Sequence, residues 1–72
     1  MDKDKCSIIE FTDVQWPSNS NSLTFLKTVR NEFLVDRNGE RFREDDLKDI
    51  LKSWLHDEFN ECPIDFKFRL IA

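Results

Sequence analysis

The sequence predicts a small α+β domain, and three features carry that prediction. "EDDLKDILKSWLHDEF", residues 44–59, repeats its apolar residues at helical spacing. "SIIEFTDV" near the start and "PIDFKFRLI" near the end alternate apolar and polar residues, as strands with one covered face do. Between them stands Asn38-Gly39, the strongest short hairpin signal, because a type I′ turn needs positive φ at both positions.

In the first strand, Ile9 and Phe11 share one face. The next segment, "SLTFLKTVRNEFL" at 22–34, reads two ways. As a helix, Phe25, Leu26, Val29 and Phe33 fall on a stripe roughly 100° wide, with Ser20 or Ser22 as N-cap. As a strand, Thr24, Phe25, Thr28 and Val29 have high β propensity, but the pattern mixes its faces, so the helix is preferred. In "FLVDRNGERF" a two-residue loop of Asn38 and Gly39 sets Val35 opposite Phe42. The helix at 44–59 gathers its apolar positions 47, 50, 51, 54, 55 and 59 on one arc, with Trp54 near the middle. Asp45, Asp49, Lys52 and His56 lie opposite, acids in the first turn suit the helix dipole, and Pro63 ends the element. The last strand turns Ile64, Phe66, Phe68 and Leu70 inward.

This β-α-β-β-α-β order predicts a small ferredoxin-like sandwich, a single domain over residues 1–72. If 22–34 is a strand instead, the alternative is an antiparallel sheet of four to five strands covered by one helix, residues 44–59. A chain of this size buries only about 60% of its unfolded surface, and seven phenylalanines supply much of the core.

The opening "MDKDKC" is charged with no apolar run behind it, which predicts no signal peptide. The longest apolar runs, "FLV" and "LIA", are far too short for a membrane span. Two cysteines without a secretion signal predict reduced thiols and a cytoplasmic protein. Cys6 begins the first strand and Cys62 precedes the last, antiparallel neighbours in this topology, so the thiols are expected at opposite ends. The net charge of −4 is concentrated in residues 43–62, with seven acids and three bases.

Little in the chain suits catalysis. The only histidine, His56, sits on the polar helix face, away from both cysteines in sequence, whereas a nucleophile needs a base held beside it. Two cysteines and one histidine without CxxC or HxxxH spacing do not make a structural zinc site. A single glycine excludes glycine-rich phosphate loops, and "DRNGE" lacks the later Glu of a calcium loop. Carboxylates in "REDDLKD" and "HDEFNE" stand at helix spacing with lysines between them, a solvated pattern. No catalytic residue, cofactor or metal is expected. Nucleic-acid binding through the sheet face or loops is the rival class. The expected open face, with Ile8, Glu10, Thr12, Leu34, Asp36, Arg41, Asp65, Lys67 and Arg69, offers no aromatic for stacking and nearly cancels its charge.

Elimination leaves a non-catalytic acidic protein that acts by binding another protein, as adaptor, regulator or inhibitor. Two surfaces are candidates: the acidic helix face with Asp45, Asp49, Asp57, Glu58 and Glu61, and Trp16 in the polar stretch "QWPSNSNSL", stiffened by Pro17. An indole folded back as a lid on the core is the other reading of Trp16. An acidic nucleic-acid mimic is a further alternative for the helix face. A homodimer is expected through the C-terminal strand, an edge in this topology.

Overall fold

The computed structural model describes residues 4–72. Strand β1 spans Cys6–Trp16, β2 Asn19–Arg30 and β3 Asp65–Leu70, and the α-helix among the described residues, α1, spans Glu44–Phe59. A short 3-10 turn, Asn31–Phe33, follows β2. The strands form one antiparallel sheet in the order β2-β1-β3, and Leu47, Leu51 and Leu55 of α1 pack on one face of it. The domain is α+β, but it is not the preferred ferredoxin-like sandwich. It stands nearer the alternative of one helix on an antiparallel sheet, with three strands rather than four to five.

The difference lies in residues 22–34, where the sequence favours a helix and the chain forms the end of β2 followed by the 3-10 turn. Leu23, Phe25, Lys27 and Val29 alternate towards the helix, and Leu26 points away, 57% exposed. Lys27 on the inner face makes the pattern look mixed. Its ammonium sits 5.1 Å from the Phe59 ring centroid and 4.0 Å from Glu58 Oε1, so a long stem lies on the core while the charge reaches the rim. The β propensity of Thr24, Phe25, Thr28 and Val29, together with pairing to β1 from Cys6↔Arg30 to Trp16↔Asn19, decides the element.

β1 changes its inward parity partway along. Ile9 and Phe11 are buried, and then Val14 and Trp16. The register slips between Phe11 and Val14 against β2, and between Thr12 and Gln15 against β3, while Asp13 takes φ 53°. This is a bulge: one extra residue flips the face of everything beyond it. Aspartate is among the few residues besides glycine that tolerate the left-handed region.

After Trp16 only Pro17 and Ser18 separate the strands, since Trp16 pairs with Asn19. Pro17 fixes φ near about −65°, which closes the primed turn types to this hairpin. The turn is fastened from outside: the Ser18 amide and hydroxyl each donate to a carboxylate oxygen of Glu61 at 2.8 Å.

The Asn38-Gly39 hairpin forms with a different register. Val35 bridges Arg41 rather than Phe42, and the loop is Arg37–Gly39, with Gly39 at φ 79°. The Asp36 amide donates to the Glu40 carbonyl at 2.8 Å, and the Gly39 amide to the Asp36 carbonyl at 3.0 Å. Asp36 selects this loop, because its Oδ1 also accepts from the amides of Asn38 and Glu40. Leu34, held by the 3-10 turn, is fully buried beside the buried Val35, so it leaves the open face expected for it.

α1 has the span its periodicity predicts, and it ends with Asn60 in the left-handed region at φ 57°. Its buried line is Leu47, Leu51 and Leu55, so Trp54 stands half-buried at the border of the apolar arc rather than at its middle. Trp54→Ala is therefore expected to cost about 2–3 kcal/mol, at or below the low end of the range for fully buried aromatics. The exposed His56→Ala should cost less than about 0.5 kcal/mol. Urea denaturation of both variants checks the ranking.

Cys6 and Cys62 are free and exposed. Cys6 pairs with Arg30 at one end of β1, while the Ile64 amide donates to the Gln15 carbonyl at the other, at 2.7 Å. Nine residue steps of strand separate those ends, roughly 30 Å, against about 4.4–6.8 Å between bridged Cα atoms.

Candidate protein-binding groove

Helix spacing puts two rows of side chains next to the buried leucine line of α1. Ile50, Trp54 and Glu58 form one row at i, i+4 and i+8, and Asp49, Ser53 and Asp57 the next. The opposite wall is Phe33. Its neighbours are held: the Asn31 amide donates to the Lys5 carbonyl at 2.9 Å, the Ser7 hydroxyl donates to Asn31 Oδ1, and the Leu34 amide donates to the Asn31 carbonyl at 2.8 Å. With Asn31 and Leu34 buried, Phe33 is left between them and 44% exposed.

These walls enclose a groove of about 530 Å³. Phe33, Ile50 and Trp54 make it apolar, and Asp49, Asp57 and Glu58 rim it. Trp54 serves two sides, since its indole stacks on the fully buried Phe11 ring at 6.2 Å with 5° between the planes. Among the described residues Asp49 and Asp57 form no ion pair, whereas Glu58 lies 4.0 Å from Lys27. Two uncompensated carboxylates thus stand over an exposed aromatic surface. Elsewhere the Lys48 ammonium, 3.0 Å from Asp65, and the Phe66 amide hold the Asp65 carboxyl below its usual range.

Of the five acids expected to bind a partner, the structure brings together Asp49, Asp57 and Glu58. Asp45 lies on the other flank of α1, beside Lys48 and Phe66, and Glu61 is engaged by Ser18. Trp16 corrects an expectation. It is not held out on a polar loop but ends β1, 7% exposed, with its ring 5.1 Å from Phe59. The Ser/Asn run after it is the start of β2. Phe33, by contrast, falls in the apolar stripe of the helix that the sequence favours over 22–34, and its exposure follows only from β2 being a strand.

The open sheet face carries Ile8, Glu10, Thr12, Thr24, Leu26, Thr28, Lys67 and Arg69, again without an aromatic. Arg69 is 2.9 Å from Glu10 and Lys67 3.8 Å from Asp13, so its two bases are each paired with an acid. Asp36 and Arg41, expected on this face, belong to the separate hairpin. Among the described residues no three His, Cys, Asp or Glu side chains gather as a metal site requires, and no helix is long and apolar enough to cross a membrane.

Fold and groove together define a small α+β domain with an acid-rimmed apolar surface depression. No family model, curated protein or solved structure matches the chain.

Proposed function

We propose that the protein is a non-catalytic binding module of the cytoplasm, and that its groove takes a basic segment of another protein, as an adaptor, regulator or inhibitor would. The observation that carries this reading is Phe33 exposed on the apolar wall facing Trp54, beneath the free carboxylates of Asp49 and Asp57. An apolar side chain of a partner gains burial against Phe33, Ile50 and Trp54, the kind of aromatic contact that dominates interface energies. Lys or Arg beside it meets the acidic rim, which steers the encounter and fixes its register. A guanidinium can also lie over an aromatic face. The paired bases of the open face and its lack of aromatics give nucleic-acid binding no comparable support. Three clustered acids, one of them near a lysine, are a poor copy of a phosphate backbone.

The reading is tested by calorimetric titration with a synthetic amphipathic peptide of Leu and Arg, and with its Glu-for-Arg counterpart. Binding of the basic peptide should weaken as salt is raised. Asp49→Lys with Asp57→Lys should lower affinity about tenfold or more, and Phe33→Ala should cost about 2 kcal/mol of binding. All three positions are exposed, so folding is little affected. Equal affinity for both peptides, or indifference to these substitutions, would remove the proposal.

A further inference from the structure

The sequence places self-association at the C-terminal strand, but the structure makes that the better defended edge. β3 has six residues, and Asp65, Lys67 and Arg69 line its outward side, all in ion pairs. Charges of this kind blunt an edge against further strands. The other edge, β2, is twelve residues long. It has no proline and no positive-φ residue, and Arg30 stands at its very end. Its defences are a register slip near its start, between the Val14↔Leu23 and Trp16↔Asn19 pairs, and the inward Lys27, whose ammonium is engaged by Phe59 and Glu58. Outward it shows Ser20, Ser22, Thr24, Leu26 and Thr28, none charged.

We infer that β2 pairs antiparallel with β2 of a second copy, about a two-fold axis at Leu26. Paired residues must share a face of the sheet, which restricts the registers. With Leu26 opposite its own copy, Thr24 meets Thr28 and Ser22 meets Arg30. On the helix side Phe25 meets Lys27, and Leu23 meets Val29. Both exposed leucines of the strand, Leu26 at 57% and Leu23 at 38%, gain an apolar neighbour, and no like charges are opposed. An axis at Lys27 would set two ammonium groups face to face, and one at Phe25 would move Leu26 opposite Thr24. An uncharged outward row with its exposed leucine at the axis thus suits a second copy of the same strand. The product is one continuous sheet with both helices on the same side. The groove lies on the β2 flank of α1, as the Lys27–Glu58 contact shows, so the two acidic rims then face each other.

Sedimentation equilibrium tests this with the intact chain. A reversible dimer is expected at high micromolar concentration, tightened by added salt as the rims are screened. Leu26→Lys sets like charges opposite at the axis and should weaken the dimer about tenfold or more, with an unchanged circular dichroism spectrum. Leu26→Cys, with Cys6 and Cys62 replaced by Ser, should give a disulfide-linked dimer on mild oxidation. A monomer at every concentration would overturn the inference and leave the edge to another protein's strand. A dimer indifferent to Leu26→Lys would overturn it as well. Leu26 is not part of the groove, so loss of the dimer with peptide binding intact separates the two proposals.

Discussion

Phe11→Ala is expected to leave the chain without a stable folded state at room temperature. Phe11 is fully buried on the central strand, and its ring lies 5.5 Å from Phe25, 5.9 Å from Phe66 and 6.2 Å from Trp54. Removing it takes one ring from three aromatic contacts and leaves a cavity that β1, paired on both sides, cannot collapse to fill. Phenylalanine-to-alanine changes in cores cost about 3–5 kcal/mol. A single hydrophobic core in a domain of about this length rarely supplies more than about 3–5 kcal/mol, so the substitution removes about all of it. Phe11→Leu keeps most of the volume and should remain folded at a cost below about 1.5 kcal/mol. Far-ultraviolet circular dichroism with urea titration separates the two. A cooperative, near-normal transition in Phe11→Ala would mean that the aromatic cluster is not the centre of the core.

Trp16→Ala should destabilise the domain by about 3 kcal/mol, although it stands next to a polar turn. The indole closes the end of the core against Phe59, which in turn packs on Phe25 at 5.7 Å. It is brought there by the Asp13 bulge and held by the clamp of Ser18 on Glu61. With Trp54 replaced by Phe, the emission of Trp16 is expected to be blue-shifted and shielded from iodide. Red-shifted, freely quenched emission would put the indole back in solvent and remove the bulge from the account.

The parts of the fold that were legible are those where one face of an element is uniformly apolar. α1 announces itself through the leucines at 47, 51 and 55, and β1 and β3 through Ile9, Phe11, Phe66 and Phe68. β2 was obscured because Lys27 occupies an inward position and Leu26 an outward one, the reverse of what simple alternation expects. The bulge was visible in principle. Apolar residues at 9 and 11 resume at 14 and 16, one position out of step, with an aspartate at the break. In the hairpin, Asn-Gly pointed to the right place but not the right register, because the capping side chain of Asp36 favours a three-residue loop. The groove was half legible. Its acids follow from helix spacing, but Phe33 joins them only through the turn that buries Asn31 and Leu34, and this depends on contacts with β1 distant in sequence.

Amide and indole chemical-shift mapping of the protein against the basic amphipathic peptide tests the central claim most directly, because it reports where binding occurs as well as whether it does. The groove account predicts shifts concentrated on Phe33, Asp49, Ile50, Ser53, Trp54, Asp57 and Glu58, with the Trp54 indole among the largest, and little change at Glu10, Lys67 or Arg69 on the open sheet face. Shifts centred on the open sheet face, or a peptide that leaves the Trp54 indole unmoved at saturation, would contradict it.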